Sequence, residues 1–328
     1  MKCIGKVISL ILICSLTLGM VGCGDKTTGT YDLEQSSNCY NLINTVGTNS
    51  STKLFAEDTC VTDKDNFGLE QVDSQVAKGG GVFNLATGEC TYGQNLFGKM
   101  YPASTTKILT CLVALEQGDL KQKVTVSAHA ADQSSDSSVA NLSAGDVMTL
   151  EDLLYGLMLR SGNDAAIAIA EAIGGSEEGF AKLMNERAKS IGATHSHFVT
   201  PHGLHNDDHY TTVYDMYLIF QEALKNDTFL QIISTPSYRV SYVGAEGNAN
   251  DMTWTNTNRY LNGKEKAPEG FTVVGGKTGT TYEAGYCLVI YSLNSKKQPI
   301  ISIVYYADCS LNLYYLMSQL LYTYGEAK

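Results

Sequence analysis

The sequence has little positive charge and no run of basic residues. Of its 328 residues, 23 are Lys or Arg and 34 are Asp or Glu, which gives a formal net charge of −11. A protein that binds a phosphate backbone needs a basic surface, so this balance argues against nucleic acid as a partner. The negative charge by itself indicates solubility and carries no information about the fold.

The apolar run near the N-terminus, residues 7–21, is too short to cross a bilayer. A transmembrane helix needs ~20 apolar residues. The run follows Lys2 and Lys6, as in a secretory signal, but lacks a small-x-small cleavage site. It ends instead in Met-Val-Gly-Cys, which resembles a bacterial lipobox. This resemblance implies that residues 1–22 are a signal peptide and that a lipid on Cys23 anchors the protein to the outer face of the cytoplasmic membrane.

No pair of cysteines has Cys-x-x-Cys spacing, so neither a structural zinc site nor a redox pair is supported. Three of the nine cysteines belong to the signal or the lipid site: Cys3, Cys14 and Cys23. The other six permit disulfides in an exported protein, but the sequence selects no pairing among Cys39, Cys60, Cys90, Cys111, Cys287 and Cys309.

Five of the six histidines lie between His195 and His209. Such a cluster invites a metal site. Gly203 and the Asn-Asp-Asp run at 206–208, however, break any helix that could align these side chains. We therefore expect neither a metal nor another cofactor.

Hydrophobic periodicity changes twice along the chain. Residues 23–75 are rich in Thr, Ser, Asn, Asp and Gly without a sustained period, which predicts a flexible tether. Residues 76–328 then read as one hairpin, a helical middle, several β-branched and aromatic strands and a last helix. This order predicts an α+β domain in which the first and last segments form one antiparallel sheet beside a helical subdomain.

Ser104 and Lys107 open the first predicted helix and lie three positions apart, on one face. A serine hydroxyl becomes a good nucleophile when a neighbouring base removes its proton. Lysine can be that base when burial or a second cation lowers its pKa. The spacing alone is weak evidence, because Ser50 and Lys53 show it inside the predicted tether.

Two further motifs follow in order. Ser161-Gly162-Asn163 lies between two predicted helices, and Lys277-Thr278-Gly279 borders a predicted strand. The trio Ser-x-x-Lys, Ser-x-Asn and Lys-Thr-Gly resembles serine β-lactamases and penicillin-binding proteins. The sequences around the motifs resemble the D-alanyl-D-alanine carboxypeptidases, which are low-molecular-mass penicillin-binding proteins, over residues 75–325.

The resemblance implies the β-lactamase/penicillin-binding transpeptidase-like fold and a function. Ser104 would be the nucleophile and Lys107 its base in a serine D,D-carboxypeptidase. Such an enzyme removes the terminal D-alanine from peptidoglycan stem peptides and is acylated by β-lactams.

The resemblance also implies roles for the other motif residues. Ser161 would relay a proton to the departing amine, and Asn163 would bind the substrate amide. Lys277 and Thr278 would bind the terminal carboxylate beside Gly279. The backbone N–H groups of Ser104 and Thr280 would stabilise the oxyanion.

Three other functions compete with this one. A class A β-lactamase would need a deacylating Glu-x-x-x-Asn pair, about 35 residues after Ser-x-Asn, and no such pair stands between Asn163 and His209. A transpeptidase, which passes the acyl group to a peptide amine, stays open. A non-catalytic stem-peptide binder would need a degraded catalytic residue, and none is degraded.

Overall fold

The computed structural model describes residues 58–326. The predicted signal peptide, Cys23, Cys39 and most of the predicted tether lie outside the described residues. The strands of the described part are β1 (Gly79–Asn84), β2 (Glu89–Gln94), β3 (Lys123–Thr125), β4 (Val147–Thr149), β5 (Ser237–Val243), β6 (Ala249–Thr255), β7 (Thr272–Thr281), β8 (Gly285–Leu293) and β9 (Pro299–Ala307). Its α-helices are α1 (Lys107–Gln117), α2 (Ala128–Ala131), α3 (Leu150–Leu159), α4 (Asn163–Gly174), α5 (Glu177–Ile191), α6 (Val213–Ala223), α7 (Asp227–Ser234) and α8 (Ser310–Tyr324).

The main sheet has five antiparallel strands in the order β2-β1-β9-β8-β7. The N-terminal hairpin β1–β2 joins the C-terminal strands through the β1–β9 pair, in which Gly81 lies opposite Ile303. The predicted α+β class and the sheet formed by the first and last segments are both confirmed. Strand β7 forms one edge of the sheet. The side of β7 that has no partner strand is therefore free to face the helices.

The main sheet is covered on both faces, which explains why its central strands are almost continuously apolar. Side chains alternate along a strand. In β9, Ile301, Ile303 and Tyr305 pack into the core shared with the helices. Their neighbours Ile300 and Val304 pack with α8 on the opposite face.

The helices of the helical layer carry apolar faces, and several of them also begin at a capping residue. Thr149 and Asp152 make a capping box at the start of α3. Ser176 caps α5, and Gly192 ends it in the left-handed conformation that favours glycine. Along α1 every residue from Lys107 to Ala114 is buried. The start of α1 therefore lies deep in the domain, beside β7.

The folded domain begins before residue 76, so the predicted tether is wrong at its C-terminal end. The Cys60 side chain is fully buried, and its N–H donates to Tyr217 Oη at 2.7 Å. Phe67 exchanges two backbone hydrogen bonds with Gly93 of β2. These contacts are made by single residues separated by polar ones, so no periodic pattern marks the segment.

A second sheet, in the order β3-β4-β5-β6, was not predicted. Strand β6 is mostly polar and exposed, but it carries Trp254, which is buried and donates its Nε1–H to the Ala140 carbonyl at 2.9 Å. Helix α7 was also missed. Lys277, Thr278 and Gly279, which were predicted to border a strand, lie within β7.

Residues 58–326 contain neither a disulfide nor a helix that could cross a membrane. The five cysteines in this range are free thiols: Cys60, Cys90, Cys111, Cys287 and Cys309. No helix in the same range is long and apolar enough to cross a membrane.

Candidate active site

Strand β7 runs directly against the turn that precedes α1. This turn is a 3-10 helix over Ala103–Thr106. A Cβ added to Gly279 would lie 3.0 Å from the backbone atoms Pro102 O and Ser104 N. Few real Cβ contacts are that tight, and the neighbouring atoms belong to the backbone, so a glycine at this place favours the close approach of the strand. The structure thereby brings Ser104 beside Gly279, and Thr280 follows on the same strand.

The Lys107 amine has three neighbours, which come from three separate segments. Its Nζ lies 3.0 Å from Ser104 Oγ, 2.7 Å from Asn163 Oδ1 and 2.8 Å from the backbone oxygen of His202. The lysine side chain is fully buried. Lys107 of the predicted pair is therefore held by Asn163, which belongs to the second motif, and by His202, which lies outside the three motifs.

Burial lowers the pKa of the Lys107 amine well below its ordinary value, and the neighbouring Lys277 lowers it further, while Asp164 opposes them. A neutral amine has two N–H donors and one lone pair. The Asn163 amide oxygen and the His202 carbonyl can only accept, so they take both N–H groups. The lone pair then points to the Ser104 hydroxyl, which can donate its proton to it.

The Ser161–Asn163 turn is strained and braced. Ser161 adopts φ +60°, a conformation that is uncommon for a residue other than glycine. Such strain persists when neighbours fix the backbone. Here the Asp164 carboxylate accepts the N–H groups of Ala140 and Leu142 at 2.8 and 3.0 Å. Asn163 Nδ2 in addition donates to Ser137 Oγ at 2.6 Å, which orients the amide oxygen toward Lys107.

Lys277 lies inside the site and not on its surface. Only 1% of the residue is exposed, and its Nζ donates to Ser161 Oγ at 2.9 Å and to the Thr278 carbonyl at 2.8 Å. Burial lowers the pKa of this lysine to about 7. The sequence prediction paired Lys277 with Thr278 as the carboxylate-binding group, but in the structure the amine is directed to Ser161.

A cleft of about 270 Å³ opens over Ser104. It is lined by Ser104, Ser138, Ser161, Thr257, Arg259, Thr278, Gly279, Thr280, Tyr286, Cys287, Ser310, Leu313 and Tyr314. Arg259 is the one residue in this set whose side chain carries a charge. Arg259 was not predicted, because the segment after β6 has no motif and only the fold brings it to the cleft.

The Arg259 guanidinium is partly engaged. It donates to Glu265 Oε1 at 2.9 Å and to Ser310 Oγ at 3.3 Å, and it lies 5.2 Å from the Tyr314 ring centroid. Its Nε is buried and has no hydrogen-bond partner among residues 58–326. A guanidinium in this state retains donor capacity for an anion that enters the cleft.

The clustered histidines support the backbone around the site. His209 Nδ1 accepts the N–H groups of Val199 and Thr200, which leaves Nε2–H to donate to Thr106 Oγ1 at 2.8 Å. Burial lowers the pKa of His209 to about 3, so the ring is neutral. No group of three or more His, Cys, Asp or Glu within residues 58–326 has the arrangement of a metal site.

Together these groups define a serine acyl-transfer site on an α+β fold, and comparisons with known proteins identify the same class. A family profile described as D-alanyl-D-alanine carboxypeptidase matches residues 70–309. The chain is 39% identical over 218 residues to D-alanyl-D-alanine carboxypeptidase DacF of Bacillus subtilis, a match that covers 65% of this chain and 53% of DacF. It is 35% identical over 235 residues to the D-alanyl-D-alanine carboxypeptidase of Streptomyces strain K15, covering 68% of this chain and 79% of that protein.

Among solved structures, the Streptomyces K15 DD-transpeptidase is similar with a TM-score of 0.70 and 32% identity, over 75% of this chain and 96% of that one. The protein belongs to the D-alanyl-D-alanine carboxypeptidase family of serine peptidases. This result confirms the predicted family and the penicillin-binding transpeptidase-like fold. The chain spans about half the length of DacF.

Replacing Lys277 by Gln should raise the pKa of Lys107. The substitution removes a positive charge that favours the neutral amine, and Lys277 carries that charge below about pH 7. NMR titration of protein labelled at the lysine ε-carbon would measure the change. Lys121→Gln removes an exposed lysine and should leave the titration unchanged. A Lys107 pKa that is unaltered or lower in Lys277→Gln would contradict the coupling.

Proposed function

We propose that the protein is a serine D,D-carboxypeptidase that hydrolyses the terminal D-Ala-D-Ala bond of peptidoglycan stem peptides, with Ser104 as nucleophile. The observation that carries this proposal is the Lys107 amine, whose two N–H groups are taken by Asn163 and His202. The lone pair of Lys107 Nζ is then directed at Ser104 Oγ, which lies 3.0 Å from Nζ. β-Lactams, which present a reactive carbonyl beside a carboxylate, would acylate the same serine.

The geometry supports the following steps. Lys107 takes the Ser104 proton while Oγ attacks the carbonyl of the penultimate D-Ala. The developing negative charge lies between the N–H groups of Ser104 and Thr280, where β7 meets the 3-10 helix. Ser161 passes its proton to the departing D-Ala amine and takes one from the Lys277 ammonium that donates to it. Water then hydrolyses the acyl ester, Lys107 returns its proton to Ser104 Oγ, and the proton released by the water restores Lys277.

We assign recognition of the substrate's terminal carboxylate to Arg259 together with Thr278. Thr278 lines the cleft, and its hydroxyl lies 2.8 Å from that of Thr257. The Lys277 amine donates to Ser161 and to the Thr278 carbonyl, and Lys277 is not among the residues that line the cleft, whereas Arg259 is. Guanidinium–carboxylate hydrogen bonds are stronger and more directional than neutral ones, so Arg259 would select for a free C-terminus.

The same chemistry permits a different acceptor. An acyl-enzyme attacked by a peptide amine in place of water gives transpeptidation, and the K15 relative is named both a carboxypeptidase and a DD-transpeptidase. We favour hydrolysis as the main activity. Slow β-lactam turnover is expected as well, because no Glu-x-x-x-Asn pair stands between Asn163 and His209, where a class A β-lactamase would carry it.

Ser104→Ala should abolish covalent labelling by a fluorescent penicillin and release of D-Ala from a stem pentapeptide, because the acyl ester forms on that hydroxyl. Ser50→Ala is the matched control, since Ser50 and Lys53 share the same spacing, and it should label normally. Gel fluorescence and mass spectrometry of the intact protein would measure both. Undiminished labelling of Ser104→Ala would refute the assignment.

Arg259→Gln should lower kcat/KM for peptides with a free C-terminal carboxylate by about tenfold or more, since hydrogen bonds to charged groups contribute about 1.5–3 kcal/mol. Peptides with an amidated C-terminus should be cleaved equally slowly by both proteins. Arg239→Gln removes an arginine from an exposed ion pair with Asp251 and should stay within about twofold of wild type. Equal loss on both peptide types in Arg259→Gln would contradict the carboxylate role.

We also propose export and lipid anchoring through Cys23, which would place the enzyme at its wall substrate. The support is the sequence layout alone: a basic start, the apolar run 7–21 and the lipobox-like ending. Several acyl chains on one cysteine would anchor more stably than a single chain.

Cys23→Ser should therefore move the protein from the membrane fraction to the soluble exported fraction. Cys39→Ser should remain with the membrane. Fractionation followed by mass spectrometry of the N-terminal peptide would measure both. A Cys23→Ser protein that stays with the membrane as well as wild type would exclude this anchor.

A further inference from the structure

The Glu177 carboxylate, at the first residue of α5, bridges two histidines outside the cleft. Its Oε2 lies 3.2 Å from His202 Nε2, and its Oε1 lies 3.1 Å from His129 Nε2. The two rings differ in surroundings. The His202 side chain is 9% exposed and that of His129 is 67% exposed. Glu177 does not line the cleft over Ser104, and no sequence motif marks it.

The protonation state of His202 follows from its partners. Its Nδ1 lies 3.1 Å from the backbone N–H of Leu204, which can only donate, so Nδ1 must accept. The proton of the neutral ring is therefore on Nε2 and is donated to Glu177. Burial lowers the pKa of His202, against the opposing effect of Glu177, so the neutral ring is favoured. Both ring nitrogens are thus committed to fixed partners.

The main chain of His202 is tied to the catalytic pair. Its carbonyl oxygen accepts a hydrogen bond from Lys107 Nζ at 2.8 Å. The preceding Pro201 carbonyl accepts the Thr110 hydroxyl of α1 at 2.6 Å. The following residue, Gly203, has φ +82°, and a Cβ there would lie 2.0 Å from the Ala103 carbonyl oxygen. This loop therefore rests directly on the start of α1.

We propose that Glu177 is a positioning residue for acylation. By holding the His202 ring, it fixes the carbonyl that occupies one N–H of Lys107, and this keeps the amine's lone pair directed at Ser104. A displaced carbonyl would let the amine turn, and small misplacements of reacting groups are costly in rate. The proposal rests on Lys107 as the base in the proposed function. It adds that a carboxylate outside the cleft helps to set the orientation of that base.

The test is the acylation of Glu177 variants by a penicillin. Glu177→Ala should lower the acylation rate constant per titrated active site about tenfold, with the noncovalent dissociation constant changed by less than about twofold. Glu177→Gln should lose less than about threefold, because its amide oxygen can still accept the His202 proton. Stopped-flow fluorescence separates the two constants. General destabilisation would reduce the titrated active fraction but would not produce this division.

His129→Gln is the matched control. His129 is the other partner of the Glu177 carboxylate and has no contact with Lys107. The acylation rate constant of this variant should therefore stay within about twofold of the wild-type value. If Glu177→Ala does not fold, Glu177→Asp replaces it with the same expectation, because the shorter side chain cannot span the distance to His202.

Three outcomes would overturn the proposal: an unchanged acylation rate in Glu177→Ala, equal losses in Glu177→Ala and His129→Gln, or a loss confined to the dissociation constant. Absence of acylation in the wild type would instead refute the proposed function, so the two failures are distinguishable.

Discussion

The arrangement of three atoms around Lys107 Nζ is the constraint on which the site depends. A buried neutral amine has two N–H groups and one lone pair, and two obligate acceptors determine where the lone pair points. One acceptor is the Asn163 side chain at the start of α4, and the other is the His202 carbonyl in the loop between α5 and α6. Each needs its own support. The Asp164 carboxylate braces the first segment, and the close contact of Gly203 with Ala103 seats the second.

Burial of two lysines separates catalysis from substrate binding. Desolvation lowers the pKa of both Lys107 and Lys277, which suits proton transfer but removes a reliable positive charge. Lys277 is directed to Ser161 and has 1% of its surface exposed. The charged side chain that lines the cleft is instead that of Arg259. In the proposed mechanism, proton transfer and carboxylate recognition therefore use different cations.

Much of the fold could be predicted from periodicity, and the errors have physical reasons. Helices α1 and α3 to α6 were predicted because each has an apolar face, several with a capping residue. Strand β6 was missed because its residues are mostly polar. It nevertheless supports the site, because Trp254 donates to the carbonyl of Ala140, and the N–H of Ala140 donates to the Asp164 carboxylate. Strand β7 was predicted too short, since the glycines of its second half have low strand propensity. Gly279 lets the strand approach the backbone before α1. Cβ atoms at Gly275 and Gly276 would clash with Ile233 of α7 and with the backbone of β8.

The sequence by itself determined the family, the three motifs and the order of the elements, because these depend on residue types and local spacing. The Ser-x-x-Lys spacing alone could not distinguish Ser104 and Lys107 from Ser50 and Lys53, and the predicted helix and the two later motifs were needed for that choice. Only the tertiary structure buries Lys107 beside Asn163 and His202, and only it brings Arg259 to the cleft and Glu177 to His202. A lowered lysine pKa and a directed lone pair arise from desolvation and contacts between distant segments, which local sequence does not encode.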